Sequence, residues 1–166
     1  MLGMCKKLLS YCRRSSHRDL VLGVAAAICL LGSACAFSAT NPWSQKQVMQ
    51  PATLASILKR TGEKPLLLQV GFESLYEQGH IPGSKYCGPA RSPEGIANLK
   101  TCVQDVPHTQ SIVLYCGCCP WQECPNIRPA FKTLKAMGFS NVKVLYIEDN
   151  FGRDWAQKGY PVQQGQ

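Results

Sequence analysis

A three-layer α/β domain, with a central mostly parallel sheet flanked by helices, is the fold this sequence predicts. Three observations carry it. Continuous apolar runs at Leu66-Leu67-Leu68-Gln69-Val70, Ile112-Val113-Leu114-Tyr115 and Val142 to Ile147 read as strands buried on both faces. Between them lie stretches with apolar residues three to four apart, the spacing of a helical stripe. Each change of period is marked by proline, glycine or serine.

Taken in order, Pro51 opens a helix with Leu54, Ile57 and Leu58 on one face, ending near Thr61-Gly62. The Leu66 strand follows, and Ser74 is placed to cap a short helix through Tyr76 and Gln78. Gly79-His80-Ile81-Pro82-Gly83-Ser84 is a turn, in which His80 reads as a structural residue bonded to backbone. Ser92-Pro93-Glu94 starts a helix carrying Ile96, Leu99 and Cys102. After the Ser111 strand, Ile127, Phe131, Leu134 and Met137 form one helical stripe closed by Gly138. The Val142 strand and a short helix over Asp154 to Gly159 complete the alternation, and ligands are expected at the carboxyl ends of the strands.

With 166 residues the chain is long enough for one domain with its own core. Its formal charge of +8 divides evenly between the first 36 residues and the rest. The charges are scattered, with no basic stripe interleaved with aromatics, so nucleic acid is not an expected partner. Residues 1–36 have the parts of an export signal: basic residues to Arg18, an apolar run from Leu20 to Leu31, then small residues. Cleavage after Ala34-Cys35-Ala36, lipidation at Cys35 and an uncleaved membrane anchor are the alternatives. Residues 37–47 read as a linker or surface arm and 48–166 as the folded domain. The expected location is exported, periplasmic or secreted, with membrane attachment through the N-terminus as a variant. In such a compartment Cys87 and Cys102 are expected as buried hydrophobes or as a structural bridge.

Between the Ser111 strand and the following helix lies Cys116-Gly117-Cys118-Cys119-Pro120-Trp121-Gln122-Glu123-Cys124-Pro125-Asn126. A cysteine where a strand hands over to a helix meets unpaired N–H groups, which favour a thiolate. Cys116 is therefore the expected nucleophile, with Arg128 in the first helical turn as a candidate cation. Cys118, Cys119 and Cys124 are candidate resolving thiols for a persulfide or sulfenic acid on Cys116. Alternatively Cys119 or Cys124 staples the loop in a fixed bridge. Trp121 either lines the pocket or packs the loop against the domain. The Cys-x-Cys-Cys-x4-Cys spacing does not match paired zinc motifs and no histidine is close in sequence, so neither a metal nor another cofactor is expected, although a soft ion such as Cu(I) or Hg(II) stays open.

Five segments together resemble the rhodanese family of sulfurtransferases. They are Pro65 to Val70, Gly79-His80-Ile81-Pro82-Gly83-Ser84, Ile112 to Cys116, Gly138-Phe139-Ser140-Asn141-Val142, and Trp155 followed by Lys158-Gly159-Tyr160-Pro161-Val162. The resemblance implies that Cys116 takes sulfane sulfur from a small donor such as thiosulfate as a persulfide and passes it to a thiol or cyanide-like acceptor. The loop backbone from Gly117 to Asn126, with Cys118, Cys119, Trp121 and Arg128, would cradle the anion. The chain departs from the family where Gln69-Val70-Gly71 replaces the usual Asp-Val-Arg, and where Arg128 stands twelve positions after Cys116, beyond a longer loop. Pro120 and Pro125 lack N–H groups, and Glu123 would oppose an anion if it faced inward. Competing readings are a thiol–disulfide oxidoreductase fed by an exported thiol-reducing protein, a soft-metal or sulfur-binding module, and a phosphatase or arsenate reductase.

Overall fold

Strands with apolar side chains on both faces need cover on both faces, and a parallel sheet supplies it through the helix that returns the chain between strands. The computed structural model describes residues 43–165. Strands β1 (Val48–Met49), β2 (Leu66–Gln69), β3 (Lys85–Tyr86), β4 (Ile112–Tyr115) and β5 (Val142–Leu145) form one sheet in the order β1-β5-β4-β2-β3. Every pairing between these strands is parallel. Helices α1 (Pro51–Lys59), α2 (Glu73–Gln78), α3 (Pro93–Cys102), α4 (Ile127–Ala136) and α5 (Phe151–Asp154) complete the predicted α/β architecture.

Strand β4 lies at the centre of the sheet and shows how the core is divided. Its side chains alternate between faces, and all four are buried. Ile112 and Leu114 meet Leu99 of α3 and Ile127, Ala130, Phe131 and Leu134 of α4. Val113 and Tyr115 join Leu54 and Ala55 of α1 and the fully buried Trp155. Cys116 is next in the alternation, so its side chain continues the face covered by α3 and α4.

Local chemistry explains where the elements begin. Ser92 Oγ accepts the Gly95 N–H at 3.1 Å, capping α3 one residue before Pro93. Helix α2 begins at Glu73, so Ser74 lies inside it and Phe72 is the flanking residue. The last helix begins at Phe151, three residues before the sequence placed it, because Asn150 Oδ1 accepts the Arg153 N–H at 2.9 Å. Strand β5 ends at Leu145, two residues before Ile147. Strands β1 and β3 are two residues each, too short to carry a period.

The residues read as an export signal lie outside the described part of the chain, as does the first part of the expected linker. Its remainder is folded onto the domain: Gln45–Gln47 makes a 3-10 turn, and the Trp43 ring sits 5.1 Å from Phe131 and 5.9 Å from Trp121. His80 is buried, stacked on Tyr76, with Nδ1 2.8 Å from the Tyr76 carbonyl oxygen, as its turn position predicts.

Cys87 and Cys102 are joined in a disulfide across a sequence separation of 15 residues. It clips the end of α3 to the loop that leaves β3. The Cys87→Ser/Cys102→Ser double variant should lose about 3 kcal/mol of unfolding free energy by releasing that loop in the unfolded chain. Urea unfolding of both proteins measures the difference.

Candidate functional site

The loop that follows β4 is held by close packing rather than by regular structure. Gly117 has φ +72°, and a Cβ there would come within 2.6 Å of Phe151 Cβ, so the turn is open to glycine alone. Its carbonyl accepts the Phe151 N–H at 3.1 Å. Trp121–Glu123 forms a 3-10 turn whose Trp121 N–H donates to the Glu148 carbonyl. Trp121 itself is buried against Tyr146 and Trp43, and it lines a small crevice behind Cys116, Cys119 and Cys124. It fastens the loop to the domain and is absent from the main cavity lining.

That cavity, about 430 Å³, opens at the carboxyl ends of β2 and β4. Cys116, Gly117 and Cys118 line it together with the apolar side chains of Leu75, Phe151 and Val162. Besides the thiols, the polar side chains on it are the amides of Gln69, Gln78, Asn150 and Gln164 and the phenol of Tyr115, and among the described residues no Asp, Glu, Lys, Arg or His lines it. Burial pushes the Tyr115 phenol up, so it stays neutral.

Three of the loop sulfurs converge. Sγ of Cys116, Cys118 and Cys124 all lie within 4.8 Å of one another. Cys116 and Cys118 are 3.1 Å apart, and Cys119 Sγ is 3.1 Å from Cys118. All four are free thiols, so neither Cys119 nor Cys124 is held in a bridge. Cys116 is buried, the others half-buried.

Asn126, which sequence reasoning passed over, organises this group. It is fully buried at the start of α4, but its side chain does not cap the helix. Instead Oδ1 accepts the Arg91 N–H at 3.0 Å, while Nδ2 donates to Cys116 Sγ at 3.4 Å and lies 3.7 Å from Cys118 Sγ. Gln69 does similar work beneath: Nε2 donates to the Cys116 carbonyl and Oε1 accepts the Gly71 N–H. Gly71 is needed for room, since a Cβ there would come within 2.8 Å of Cys116 Sγ. Glycine at position 71 thus lets the Cys116 sulfur sit directly against the backbone of the chain after β2.

The geometry redistributes the charge expected at Cys116. Cys118 is held well below the usual thiol range, because Cys116 and Cys124 donate S–H bonds to it, with smaller help from Cys119 and Asn126. Cys116 is pushed up, first by the Cys118 sulfur beside it, then by Cys124 and by burial. The Cys124 thiol accepts from Cys116, which favours its ionised form, but its own donation to Cys118 and its burial win and push it up. Burial and donation to Cys118 push Cys119 up as well. One negative charge, centred on Cys118, is therefore shared over the cluster.

The sources expected to stabilise a Cys116 thiolate point elsewhere. Arg128 is exposed and lines a separate groove with Trp43, Gln47, Phe131 and Lys132. The backbone N–H groups of Asn126 and Ile127, which open α4, face Cys124. Within the expected anion cradle, the Trp121 N–H is bound to Glu148 and the Glu123 N–H to Pro120. Glu123 is exposed and does not face inward.

With the fold and the sulfur cluster described, comparison with known proteins decides the family. The rhodanese-like domain family matches residues 50–146. The chain belongs to this family. Among solved structures, this rhodanese-like domain is similar to BH2092 protein from Bacillus halodurans (18% identity, TM-score 0.57, covering 72% of this chain and 77% of that one). It is also similar to the Alr3790 protein from Anabaena sp. (20% identity, TM-score 0.55, covering 70% and 82%). A third, EanB Y353A in complex with ergothioneine, shares 22% identity and a TM-score of 0.53 over 71% of this chain but only 28% of that protein. These likenesses establish the fold. No curated protein matches the chain in sequence.

Asn126→Asp keeps the acceptor for the Arg91 N–H but replaces the N–H donor at the sulfurs with an acceptor. Peptide-resolved iodoacetamide labelling should find Cys118 the fastest cysteine of the native protein, with a rate nearly flat from pH 8 down to pH 6. A thiol of ordinary pKa loses about tenfold per unit over that range. In Asn126→Asp the fall in the Cys118 rate should set in at a higher pH than in the native protein.

Proposed function

We propose that this rhodanese-like protein is a sulfurtransferase in which Cys116 carries sulfane sulfur as a persulfide and Cys118 is its proton acceptor. The observation that carries the reading is the Cys116–Cys118 pair, 3.1 Å apart on the wall of the cavity at the sheet's carboxyl edge. A donor persulfide R–S–SH enters the cavity, and Cys116 sulfur attacks the outer sulfur. As the new S–S bond forms, the Cys116 proton passes to the Cys118 thiolate and the donor S–S bond breaks. The departing thiolate takes the proton back from Cys118 and leaves as R–SH. An acceptor thiol then attacks the outer sulfur of the Cys116 persulfide and restores the Cys116 thiol.

A lining without a cation, with the Cys118 thiolate on its wall, supports a donor that brings little charge. Thiosulfate is a dianion, and the amides of Gln69, Gln78, Asn150 and Gln164 would have to replace its hydration without a cation. Small-molecule persulfides and persulfidated cysteines ask for less. The Cys87–Cys102 disulfide supports an oxidising location, in line with export by the N-terminal segment.

The same short distance favours a second reading. The Cys118 thiolate attacks the inner sulfur of the Cys116 persulfide, hydrosulfide leaves, and a Cys116–Cys118 disulfide remains for an exported dithiol protein to reduce. In this reading the protein is a thiol–disulfide oxidoreductase that releases hydrosulfide.

Intact and peptide mass spectrometry after exposure of the reduced protein to glutathione persulfide separates the two. Sulfur transfer gives a Cys116 peptide one sulfur atom heavier, absent from Cys116→Ser and formed more slowly in Cys118→Ser. The second reading gives a loop two hydrogens lighter together with released hydrosulfide. Persulfide donors should label Cys116 at least about tenfold faster than thiosulfate at equal concentration, the equivalent of 1.4 kcal/mol in barrier height. Faster labelling by thiosulfate would remove the donor assignment.

A further inference from the structure

We propose that Cys116, Cys118 and Cys124 form a binding site for a single cuprous ion. This goes beyond sulfur transfer and does not depend on it. The three sulfurs lie within 4.8 Å of one another, brought together by the end of β4 and the start of α4. An ion about 2.3 Å from each of three sulfurs in a plane holds them about 4 Å apart. That spacing falls between the 3.1 Å of the closest pair and the 4.8 Å limit.

Ligand chemistry selects the ion. The set is all sulfur, and neither histidine nor carboxylate joins it among the described residues. Such a donor set prefers soft ions of low coordination number, whereas Zn(II) in structural sites takes four ligands. Cys119, although 3.1 Å from Cys118, lies outside the mutually close group, so a fourth sulfur is not in place. A monovalent ion that accepts three sulfurs fits better than a divalent ion that needs four.

The surroundings answer the charge problem. A univalent ion bound by two thiolates and one thiol leaves a net charge of minus one, and among the described residues no other charged side chain lines the cavity. Each sulfur meets an N–H group: Asn126 Nδ2 reaches Cys116 and Cys118, and the Asn126 and Ile127 backbone amides face Cys124. Donors to ligand sulfur of this kind orient the ligands and spread their charge. Binding changes no oxidation state, because Cu(I) enters as Cu(I) and each sulfur that ionises releases its proton to solvent. An occupied site also withdraws Cys116 from sulfur chemistry.

The test uses the full chain with Cys5→Ser, Cys12→Ser, Cys29→Ser and Cys35→Ser, so that every copper counted belongs to the domain. The reduced protein is titrated anaerobically with Cu(I) in competition with bicinchoninate. One equivalent should leave the chelator, with a thiolate-to-copper charge-transfer band in the near ultraviolet. Cys116→Ser, Cys118→Ser and Cys124→Ser should each lose more than about a hundredfold in affinity, and Asn126→Asp about tenfold or more. Cys119→Ser should stay within about threefold, well inside the effect of removing a ligand or its support.

Failure of the parent protein to take copper from the chelator overturns the proposal, and that measurement needs no variant to fold. Equal loss in Cys119→Ser overturns the three-sulfur assignment, as does Zn(II) held more tightly than Cu(I) in the parallel chelator competition. Persulfide labelling of Cys116 is read by mass, so failure of one reading leaves the other standing or falling on its own measurement.

Discussion

The Asn126 side chain is the tie on which the sulfur site depends. An asparagine at the start of a helix ordinarily spends its oxygen on the helix's own N–H groups. Here the oxygen holds the Arg91 N–H and the amide nitrogen reaches Cys116 and Cys118. Three parts of the chain, far apart in sequence, are thereby fixed on one fully buried amide. A buried donor or acceptor left unmet costs about 1–3 kcal/mol, so neither end of the side chain turns away cheaply.

Around that tie, room and charge have been settled together. Gly71 leaves space for the Cys116 sulfur, and Gln69 spans from the Cys116 carbonyl to the Gly71 N–H. Any side chain at position 71 would bring its Cβ within 2.8 Å of the Cys116 sulfur as it stands. A carboxylate at 69 would set a second negative charge beside thiols that already share one. The neutral pair Gln69 and Gly71 thus accompanies a loop that carries its reactive charge on sulfur.

The fold was legible because its signals are local and repeated. Ile112 to Tyr115 are apolar at every position, which only a strand covered on both sides explains, and the stripe from Ile127 to Leu134 names the covering helix. Cys116 was legible as the first residue past the strand. What could not be read was where the rest of the loop would turn. Arg128 is one residue past Ile127, yet it is exposed and lines another groove, because the buried face of α4 is already taken by Ile127, Ala130, Phe131 and Leu134. The Cys118 charge arises from three-dimensional proximity of sulfurs up to eight residues apart, which no spacing rule in the loop encodes. Asn126 carried no signal of its own in the sequence, and only its buried contacts reveal its part. Gln69-Val70-Gly71 was the one visible signal that the site had changed, and its meaning needed the position of the Cys116 sulfur.

A cavity lined by no Asp, Glu, Lys, Arg or His among the described residues constrains what such a cluster does. Oxyanion chemistry needs cations or an open ring of N–H donors, and this loop spends the Trp121 and Glu123 N–H groups on carbonyls and has prolines at 120 and 125. Sulfur chemistry needs less, because charge moves between large polarisable atoms and is already spread over neighbouring S–H and N–H donors before a ligand arrives. The proton released by one sulfur has a receiver 3.1 Å away, so attack by Cys116 requires no outside base and leaves the total charge of the wall unchanged. Soft ligands, whether a sulfane sulfur or a soft metal ion, are the class that this arrangement serves without a counter-ion.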